Sequence, residues 1–578
     1  AGGTTNLRLG INAGDSIADG ALHNTLIGTN AGTAITTGDQ NTAVGGTALA
    51  ANISSSFNTA IGQESMASTT GASNTAVGDK SMLDNVGGAN NVAVGASALE
   101  NNTTASENVA VGYQALLDNT TGEKNTAVGT LALTNNTTAS DNSAFGREAL
   151  KYNTTGASNV AVGREALVSN TTASSNTAVG YQAAYTNTTG AENVAVGNKS
   201  LYTNTTGTGN VAVGHYALNE NSTAAYNTGV GYLALRRNTT GASNVALGYV
   251  SLTANTTGTA NVATGYNSLA SNTTGDFNIA IGYNALDANT TADDNTAVGT
   301  SALGANTTGA SNIAIGKNTL VTNTTGASNT AVGALAGDAI TTGSYNNAFG
   351  YGALGATTTG EQNLSLGRLS LEDNTTGTLN VAVGNHSLGN NTSASYNTAV
   401  GHQSLYTNIT GNALSALGFE ALKLNTGSNN SAVGFKALAT NSSGGTNTAM
   451  GDRALFSNTT ASSNTAVGYQ AGYANTTGIR LTAIGYQAGK AHVATGTVQN
   501  VFVGNEAGLG NTTGVTNTFI GGSAGAANTT GANNVAVGTN SLGANTTASY
   551  NTAIGMQSLS ANTTGALNTA VGYQALED

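Results

Sequence analysis

Few residues of this 578-residue chain could carry chemistry, and their spacing argues against a catalytic or metal site. The chain has no cysteine and 28 acidic residues, which are scattered along it. The five histidines share no spacing and adjoin no group of carboxylates; they are His23, His215, His386, His402 and His492. A general base or a metal centre needs such side chains to converge. We therefore expect no catalytic residue, no metal ligand, no cofactor and no enzymatic activity.

Three other features recur often enough to suggest binding. Asn-Thr-Thr matches the N-glycosylation sequon and occurs in most repeats, although it is also typical of a turn. Regular threonines could contact ice, but ice-binding solenoids present Thr on a strand face, whereas Thr-Thr here lies in a turn. Tyrosine followed by glutamine could offer aromatic edges to a sugar or a receptor, at Tyr113, Tyr181, Tyr469, Tyr486 and Tyr573. We interpret the first two features as turn chemistry and the tyrosines as scattered surface residues.

An internal repeat positions these residues. The consensus Asn-Thr-Ala-Val-Gly-Tyr-Gln-Ala-Leu-x-x-Asn-Thr-Thr-Gly-x-x, numbered here as positions one to seventeen, occurs in 34 copies that begin at residues from Asn6 to Asn568. The step between copies is 17 residues, except for one step of 18, two of 16 and one of 19. Position five is Gly in all 34 copies and position four is apolar in 33. A fixed period of this kind is the signature of a solenoid.

Position nine supplies a second apolar residue in most copies. It is Leu or Met in 26 copies and Gly in seven. Two of these glycines, Gly32 and Gly337, are followed three residues later by Ile35 and Ile340, which indicates that the apolar group has moved and has not been lost. Charged residues occur mainly at positions six, seven, ten, eleven, sixteen and seventeen, so we expect these positions to face solvent.

The pattern favours strands over helices, because Gly and Asn-Thr-Thr-Gly recur too often for a helix to continue. Thr-Ala-Val and Gln-Ala-Leu, on either side of the glycine, fit two short strands with a bend between them. One repeat cannot bury its own apolar face, but stacked repeats can. The sequence therefore predicts an all-β fold, a parallel β-solenoid of about 34 coils of 17 residues. With rungs about 4.8 Å apart, such a rod would be roughly 160 Å long.

This stacking assigns structural roles to three columns of residues. The bend glycines are represented by Gly45, Gly112, Gly180, Gly299 and Gly572. The core is expected to combine valines of position four with leucines of position nine, represented by Val44, Val111, Val179, Leu49, Leu116 and Leu167. Asparagines of position one are expected to hydrogen-bond their amides along the stack, represented by Asn41, Asn108, Asn125, Asn159 and Asn176.

The predicted core is thin, which suggests that one chain needs neighbours. Alanine at position three points to the opposite face from the valine and is almost never large. We expect this column of small side chains to admit a close neighbour, and three copies of the chain to pack along it as a homotrimer.

The repeat also resembles a known family. The motif from Asn108 to Leu116 and its copy from Asn568 to Leu576 resemble the YadA-like head repeats of trimeric autotransporter adhesins, and they are similar to repeats of bacteriophage tail-fibre shafts. The resemblance extends over nearly the whole chain, although the coil here is longer by the Asn-Thr-Thr-Gly turn. It implies a left-handed β-roll, assembly as a trimer and an extracellular location, on a cell surface or a virion.

Composition limits the partners of the chain. Charged residues make up only 8% and the net charge is −12, without a basic patch, so we expect no binding to nucleic acid. No stretch of 18 apolar residues occurs, so we expect no membrane insertion. Two other classes of solenoid also fit the sequence poorly. Hexapeptide-repeat acyltransferases would require an apolar residue at position ten, which is not apolar here. Calcium-binding repeats would require the pattern Gly-Gly-x-Gly-x-Asp, which does not occur.

We expect residues 1–40 to form atypical first coils and residues 41–578 to form uninterrupted repeats. The function expected from this organisation is that of a structural or adhesive shaft in an extracellular homotrimeric fibre, either a phage tail fibre or a bacterial surface adhesin. Its partners would be its own copies and, in addition, a glycan or protein receptor on a host surface. The alternative is a self-assembling extracellular filament, and a remote alternative is an ice-binding or glycan-binding solenoid.

Overall fold

The computed structural model describes residues 5–577, so residues 1–4 and 578 of the predicted repeat regions lie outside the described residues. The fold is an all-β parallel solenoid of about 34 coils, one for each sequence repeat. Within the described range there is no helix, and accordingly none that is long and apolar enough to cross a membrane. The chain divides into two compact units, residues 1–293 and 294–578.

The first unit contains one three-residue strand per coil, formed by positions two to four of each repeat. Its strands are β1 (Leu7–Leu9), β2 (Thr25–Ile27), β3 (Thr42–Val44), β4 (Thr59–Ile61), β5 (Thr75–Val77), β6 (Val92–Val94), β7 (Val109–Val111), β8 (Thr126–Val128), β9 (Ser143–Phe145), β10 (Val160–Val162), β11 (Thr177–Val179), β12 (Val194–Val196), β13 (Val211–Val213), β14 (Thr228–Val230), β15 (Val245–Leu247), β16 (Val262–Thr264) and β17 (Ile279–Ile281).

The second unit follows the same plan and adds two strands of two residues, which pair with each other. Its strands are β18 (Thr296–Val298), β19 (Ile313–Ile315), β20 (Thr330–Val332), β21 (Asn347–Phe349), β22 (Leu364–Leu366), β23 (Val381–Val383), β24 (Thr398–Val400), β25 (Ser415–Leu417), β26 (Ser431–Val433), β27 (Thr448–Met450), β28 (Thr465–Val467), β29 (Gly478–Ile479), β30 (Thr482–Ile484), β31 (Gly496–Thr497), β32 (Val501–Val503), β33 (Thr518–Ile520), β34 (Val535–Val537), β35 (Thr552–Ile554) and β36 (Thr569–Val571).

Stacking places each repeat position on the same position of the next coil. In β7 and β8, for example, Ala110 lies opposite Ala127 in a parallel pair. Steps other than 17 leave this register intact: Thr59 pairs with Thr75 after a step of 16, and Thr482 pairs with Val501 after a step of 19. Because the strands stay aligned, the extra or missing residues are accommodated in the turns.

The glycine of position five turns the chain where no other residue fits. The φ angles of the five representative glycines lie between +132° and +142°, a region that residues with a side chain rarely adopt; they are Gly45, Gly112, Gly180, Gly299 and Gly572. Neighbouring coils also approach closely at this column, because a Cβ built on Gly45 would lie 2.2 Å from the carbonyl oxygen of Gly62. Backbone conformation and close packing therefore both exclude a side chain there.

Apart from the short strands β29 and β31, each described coil forms one strand, and the expected second strand at Gln-Ala-Leu is absent from the described residues. Positions seven and nine adopt the left-handed conformation instead, as in Gln114 (φ 54°) and Leu116 (φ 56°). This segment still bonds to its neighbours, since the Leu116 N–H donates to the Ala132 carbonyl of the next coil at 3.0 Å. The segment is therefore a ladder of turns, because alternate left-handed residues depart from β geometry.

The two faces of the strand are the reverse of the prediction. Alanine of position three is fully buried, as at Ala43, Ala110 and Ala178, whereas the predicted core residues of position four are only partly buried: Val44, Val111 and Val179. The interior is too narrow for Val opposite Leu; the Cβ of a residue replacing Gly229, at position three, would already lie 3.2 Å from Leu218 Cγ. The alanine column is thus internal and cannot receive a neighbouring chain.

Position nine fills the interior, as the sequence indicates. Leu49, Leu116 and Leu167 are all fully buried. Where Gly stands at position nine, another side chain occupies the volume: a Cβ on Gly337 would meet Ile340 at 3.0 Å. The interpretation that the apolar group moves is therefore consistent with the packing in such coils.

Candidate interaction surface

Asparagine of position one closes each coil and joins it to the preceding coil. The backbone N–H of Asn125 donates to Oδ1 of Asn108 at 2.9 Å, and Nδ2 of Asn108 donates across its own coil to the Gly122 carbonyl at 3.0 Å. The predicted ladder residues make the same N–H to Oδ1 bond along the stack; they are Asn41, Asn108, Asn125, Asn159 and Asn176. The bond that joins one coil to the next at these residues therefore runs from a backbone N–H to a side-chain Oδ1.

The expected amide-to-amide bond forms at position one in some coils, as from Nδ2 of Asn159 to Oδ1 of Asn142 at 3.2 Å. A second asparagine column, at position twelve, forms a ladder of such bonds. Nδ2 of Asn136 donates to Oδ1 of Asn119 at 2.8 Å, and Nδ2 of Asn153 donates to Oδ1 of Asn136 at 3.0 Å. These asparagines are fully buried. Sequence reasoning assigned position twelve to a turn only, although an uncharged residue repeated at one site was a signal for a ladder.

The sequon asparagines are the residues of this buried ladder. Nδ2 of Asn136, the atom that N-glycosylation would modify, donates both to Asn119 and to the Ala139 carbonyl and is closed off from solvent. The threonine that follows a sequon asparagine is also hydrogen-bonded: after Asn119, Oγ1 of Thr120 donates to the Thr137 carbonyl of the next coil at 2.9 Å. The folded coils thus bury the sequon asparagines of this column, except that Asn562, the last of them, is only half-buried.

The outer face of the sheet carries an apolar column at position four, beside a mixed column at position two in which Thr and Val are the commonest residues. In both units, positions two and four project outward and position three projects inward. Several of the larger residues at position four are between 36% and 51% exposed; they are Phe145, Leu247, Ile281, Ile315, Phe349, Leu366, Leu417 and Met450. Only Thr264 interrupts this apolar column in the 34 copies, and none of its residues is charged. Positions two and four define what we call the outer stripe of each unit.

Tyrosines of position six form a stack that the sequence reading missed. In the first unit, His215, Tyr232, Tyr249, Tyr266 and Tyr283 lie in consecutive coils, with centroids of neighbouring rings 5.1 to 5.6 Å apart and interplanar angles of 17° or less. The signal was the run of aromatic residues at one position. Because each ring covers the face of the next, the column presents mainly ring edges to solvent. The five tyrosines singled out from the sequence are exposed by 38% to 66%: Tyr113, Tyr181, Tyr469, Tyr486 and Tyr573.

Charged side chains form small ion pairs beside the coils. Nζ of Lys423 lies 2.9 Å and Nζ of Lys436 lies 3.4 Å from carboxylate oxygens of Glu420. The hydrogen bond from Lys423 is the main reason that the pKa of Glu420 lies below its usual range. The hydrogen bond from Gln182 lowers the pKa of Glu165 in the same way. These carboxylates are held as anions by neighbours within the chain.

The histidines lie in separate parts of the chain. Across residues 5–577, no group of three or more His, Cys, Asp or Glu side chains is placed to hold a metal ion. His386 Nδ1 lies 3.9 Å from a carboxylate oxygen of Glu372, and His215 and His402 belong to aromatic stacks. Only His492, discussed below, is fully buried.

Comparison of the chain with protein-family models and with curated proteins finds no match. The outer stripe is therefore the feature from which a function has to be argued.

Proposed function

We propose that this protein is a structural shaft in which copies of the chain pack against one another through their outer stripes. The observation that carries this proposal is the retention of an apolar, uncharged position four in 33 of 34 copies although it faces outward. A monomer in water gains nothing from a continuous apolar column on its surface, and such patches mark interaction sites.

The size of the stripe supports a stable contact. Two outward columns about 7 Å apart, on seventeen rungs spaced about 4.8 Å, give roughly 550 Å² of flat area in each unit. Standard protein interfaces bury about 800 Å² on each partner. The stripe of each unit alone thus supplies about two thirds of that area. Its lack of charge removes the desolvation cost that ion pairs would bring.

The occupant that fits the stripe is another copy of the chain. Large and small apolar residues alternate irregularly along position four, from Val111 to Phe145 and Leu247. A flat, uniform face, as ice binding would require, is therefore lacking. Three copies is the number that the resemblance to trimeric adhesin repeats implies, and we propose a homotrimeric extracellular fibre of left-handed rolls, part of an adhesin or a tail fibre.

The test is the mass of the native protein and of two double variants. Val111→Asp with Val128→Asp places charge in the outer stripe, whereas Tyr113→Asp with Thr130→Asp places the same charge at exposed position six of the same coils. We expect the wild type and the position-six variant to sediment as a trimer, and the stripe variant to shift towards monomer.

A wild-type protein that sediments as a stable monomer would contradict the proposal. Electron microscopy distinguishes the alternative assembly, because discrete rods are expected of a shaft and long threads of a filament. Threads would replace the shaft proposal by the filament.

A further inference from the structure

The coil that begins at Leu481 differs from the coils before and after it. The step to the next copy, at Asn500, is 19 residues, whereas the two flanking steps are 17. Leu481 replaces the usual Asn of position one, and His492 replaces the usual Asn of position twelve. The added residues lie in a turn in which Gly478–Ile479 pairs with Gly496–Thr497.

His492 interrupts the buried amide ladder of position twelve. Its side chain is fully buried, and neither ring nitrogen has a hydrogen-bond partner. Asn475 and Asn511 hold the same position in the preceding and following coils, and Oδ1 of each is also buried without a partner. In an uninterrupted column, that oxygen accepts from the Asn of the next coil, so His492 accounts for the unpaired Oδ1 of Asn475. The coil after Asn511 keeps its asparagine, Asn528, but Nδ2 of Asn528 donates to the Gly531 carbonyl instead. Three neighbouring rungs therefore carry unsatisfied polar atoms, which is costly in a protein interior.

The surroundings of His492 offer nothing to hold a positive charge. Its ring meets Phe502 edge-on, with centroids 6.3 Å apart. The charged residues of the adjoining segments are Arg480, Lys490 and Glu506, at the outward positions seventeen, ten and seven, and none of them is buried. Burial alone lowers the pKa of His492, to about 4, and no ionic partner contributes. The ring is therefore neutral at neutral pH.

We propose that the coil of residues 481–499 is an acid-sensitive opening point of the second unit. A proton on His492 creates a buried charge without an acceptor, and the coil relieves it by releasing the ring to solvent. Release loosens the turn between β30 and β32, while coils farther along the unit remain stacked because repeat contacts are local. Acid would thereby expose sheet edges at one defined coil.

The sign of the effect follows from the two states. The neutral ring is favoured when folded, so its contribution to stability is complete above the ordinary pKa of 6.5 and decreases as the pH falls towards 4. Between about pH 7 and about pH 4.5, the equilibrium constant for opening should rise roughly 50- to 100-fold.

Hydrogen exchange of the full chain, corrected for the intrinsic pH dependence of exchange, tests this proposal. In the wild type, we expect the amides of residues 486–504 to lose protection by the above factor on acidification, whereas residues 534–564, which contain no acidic or basic side chain, keep theirs. His492→Asn, which restores the consensus ladder residue, should abolish the change.

A second variant tests the proposal independently if the first variant does not fold. His492→Ile introduces the residue that already occupies position twelve at Ile340, in the same unit. It should also remove the acid-induced opening. If wild type and both variants open equally in acid, or if the wild type does not open, the proposal is overturned.

Discussion

Two regions of the molecule build the same coil in different ways. In the regular coils that begin at Asn108, Asn125, Asn142 and Asn159, alanine stands at position three and leucine at position nine, as in Ala110 and Leu116. In the coils that begin at Asn500 and Asn517, position three is Phe and position nine is Gly. Phe502 and Phe519 are fully buried, like the leucines that they replace. The interior volume is conserved between the two regions, although the residue that fills it is not.

The difference shows that a side chain at position nine carries a cost in backbone conformational energy. Leu116 has a φ of 56°, a left-handed conformation that costs a residue with a side chain roughly 1–2 kcal/mol. Gly508 adopts nearly the same φ, 61°, without that penalty. A Cβ on Gly508 would lie 2.6 Å from the Phe502 ring, so glycine is also required by the larger residue at position three. In the regular coil, the buried leucine adopts a strained left-handed backbone conformation. In the coil that begins at Asn500, the buried aromatic ring comes from a strand residue, and position nine is a glycine.

The largest effect on stability is expected from exchanging the residue pairs at positions three and nine, Phe with Gly for Ala with Leu. Phe502→Ala should destabilise its coil by about 3–5 kcal/mol, because it leaves a cavity between Gly489 and Gly508. Gly508→Leu alone should also destabilise the coil, by steric overlap with Phe502. The double variant Phe502→Ala with Gly508→Leu recreates the regular coil and should recover much of the loss. The measurement is the local free energy of opening from hydrogen exchange.

Additive losses in that double variant would contradict the exchange of volume between positions three and nine. The matched comparison is Ala527→Gly in the neighbouring coil, at an exposed residue of position eleven, where removal of a methyl group should have little effect on the core.

How far the sequence leads can be seen in these residues. The repeat predicts one coil per copy, the bend at Gly45 and the buried Leu49, because each of these follows from one residue type that recurs at one position. The period does not settle which face of a three-residue strand points inward, since Ala43 and Val44 are both apolar. The deciding signal lay in the exceptions: Arg8, Leu26, Phe502 and Phe519 stand at position three only where position nine is Gly.

The outer stripe shows the limit of sequence reasoning about the candidate site. The residue types at position four reveal the apolar column in the sequence, but the role of that column depends on which face of the strand it occupies. The Asn ladder at position twelve and the Tyr stack likewise require the three-dimensional register, because neither is a contact between residues near in sequence.

A smaller effect is expected from interrupting the position-twelve ladder in the regular region, as His492 does in the other. Asn136→Ala removes the donor to Asn119 and leaves buried amide atoms unpaired, at a cost of about 1–3 kcal/mol. Asn135→Ala, one residue earlier at a half-exposed site, is the control and should cost well under about 1 kcal/mol. Thermal and exchange measurements that give equal losses for the two variants would show that the ladder contributes nothing.

The most direct test of the central claim is thiol labelling, since the chain has no cysteine of its own. Single cysteines would be placed at Ala127, Val128 and Thr130, which are respectively buried, half-buried and exposed in the single chain. We predict no labelling at Ala127→Cys, rapid labelling at Thr130→Cys, and slow labelling at Val128→Cys that becomes rapid only when the copies dissociate. Labelling of Val128→Cys as fast as that of Thr130→Cys in the native protein would contradict packing through the outer stripe.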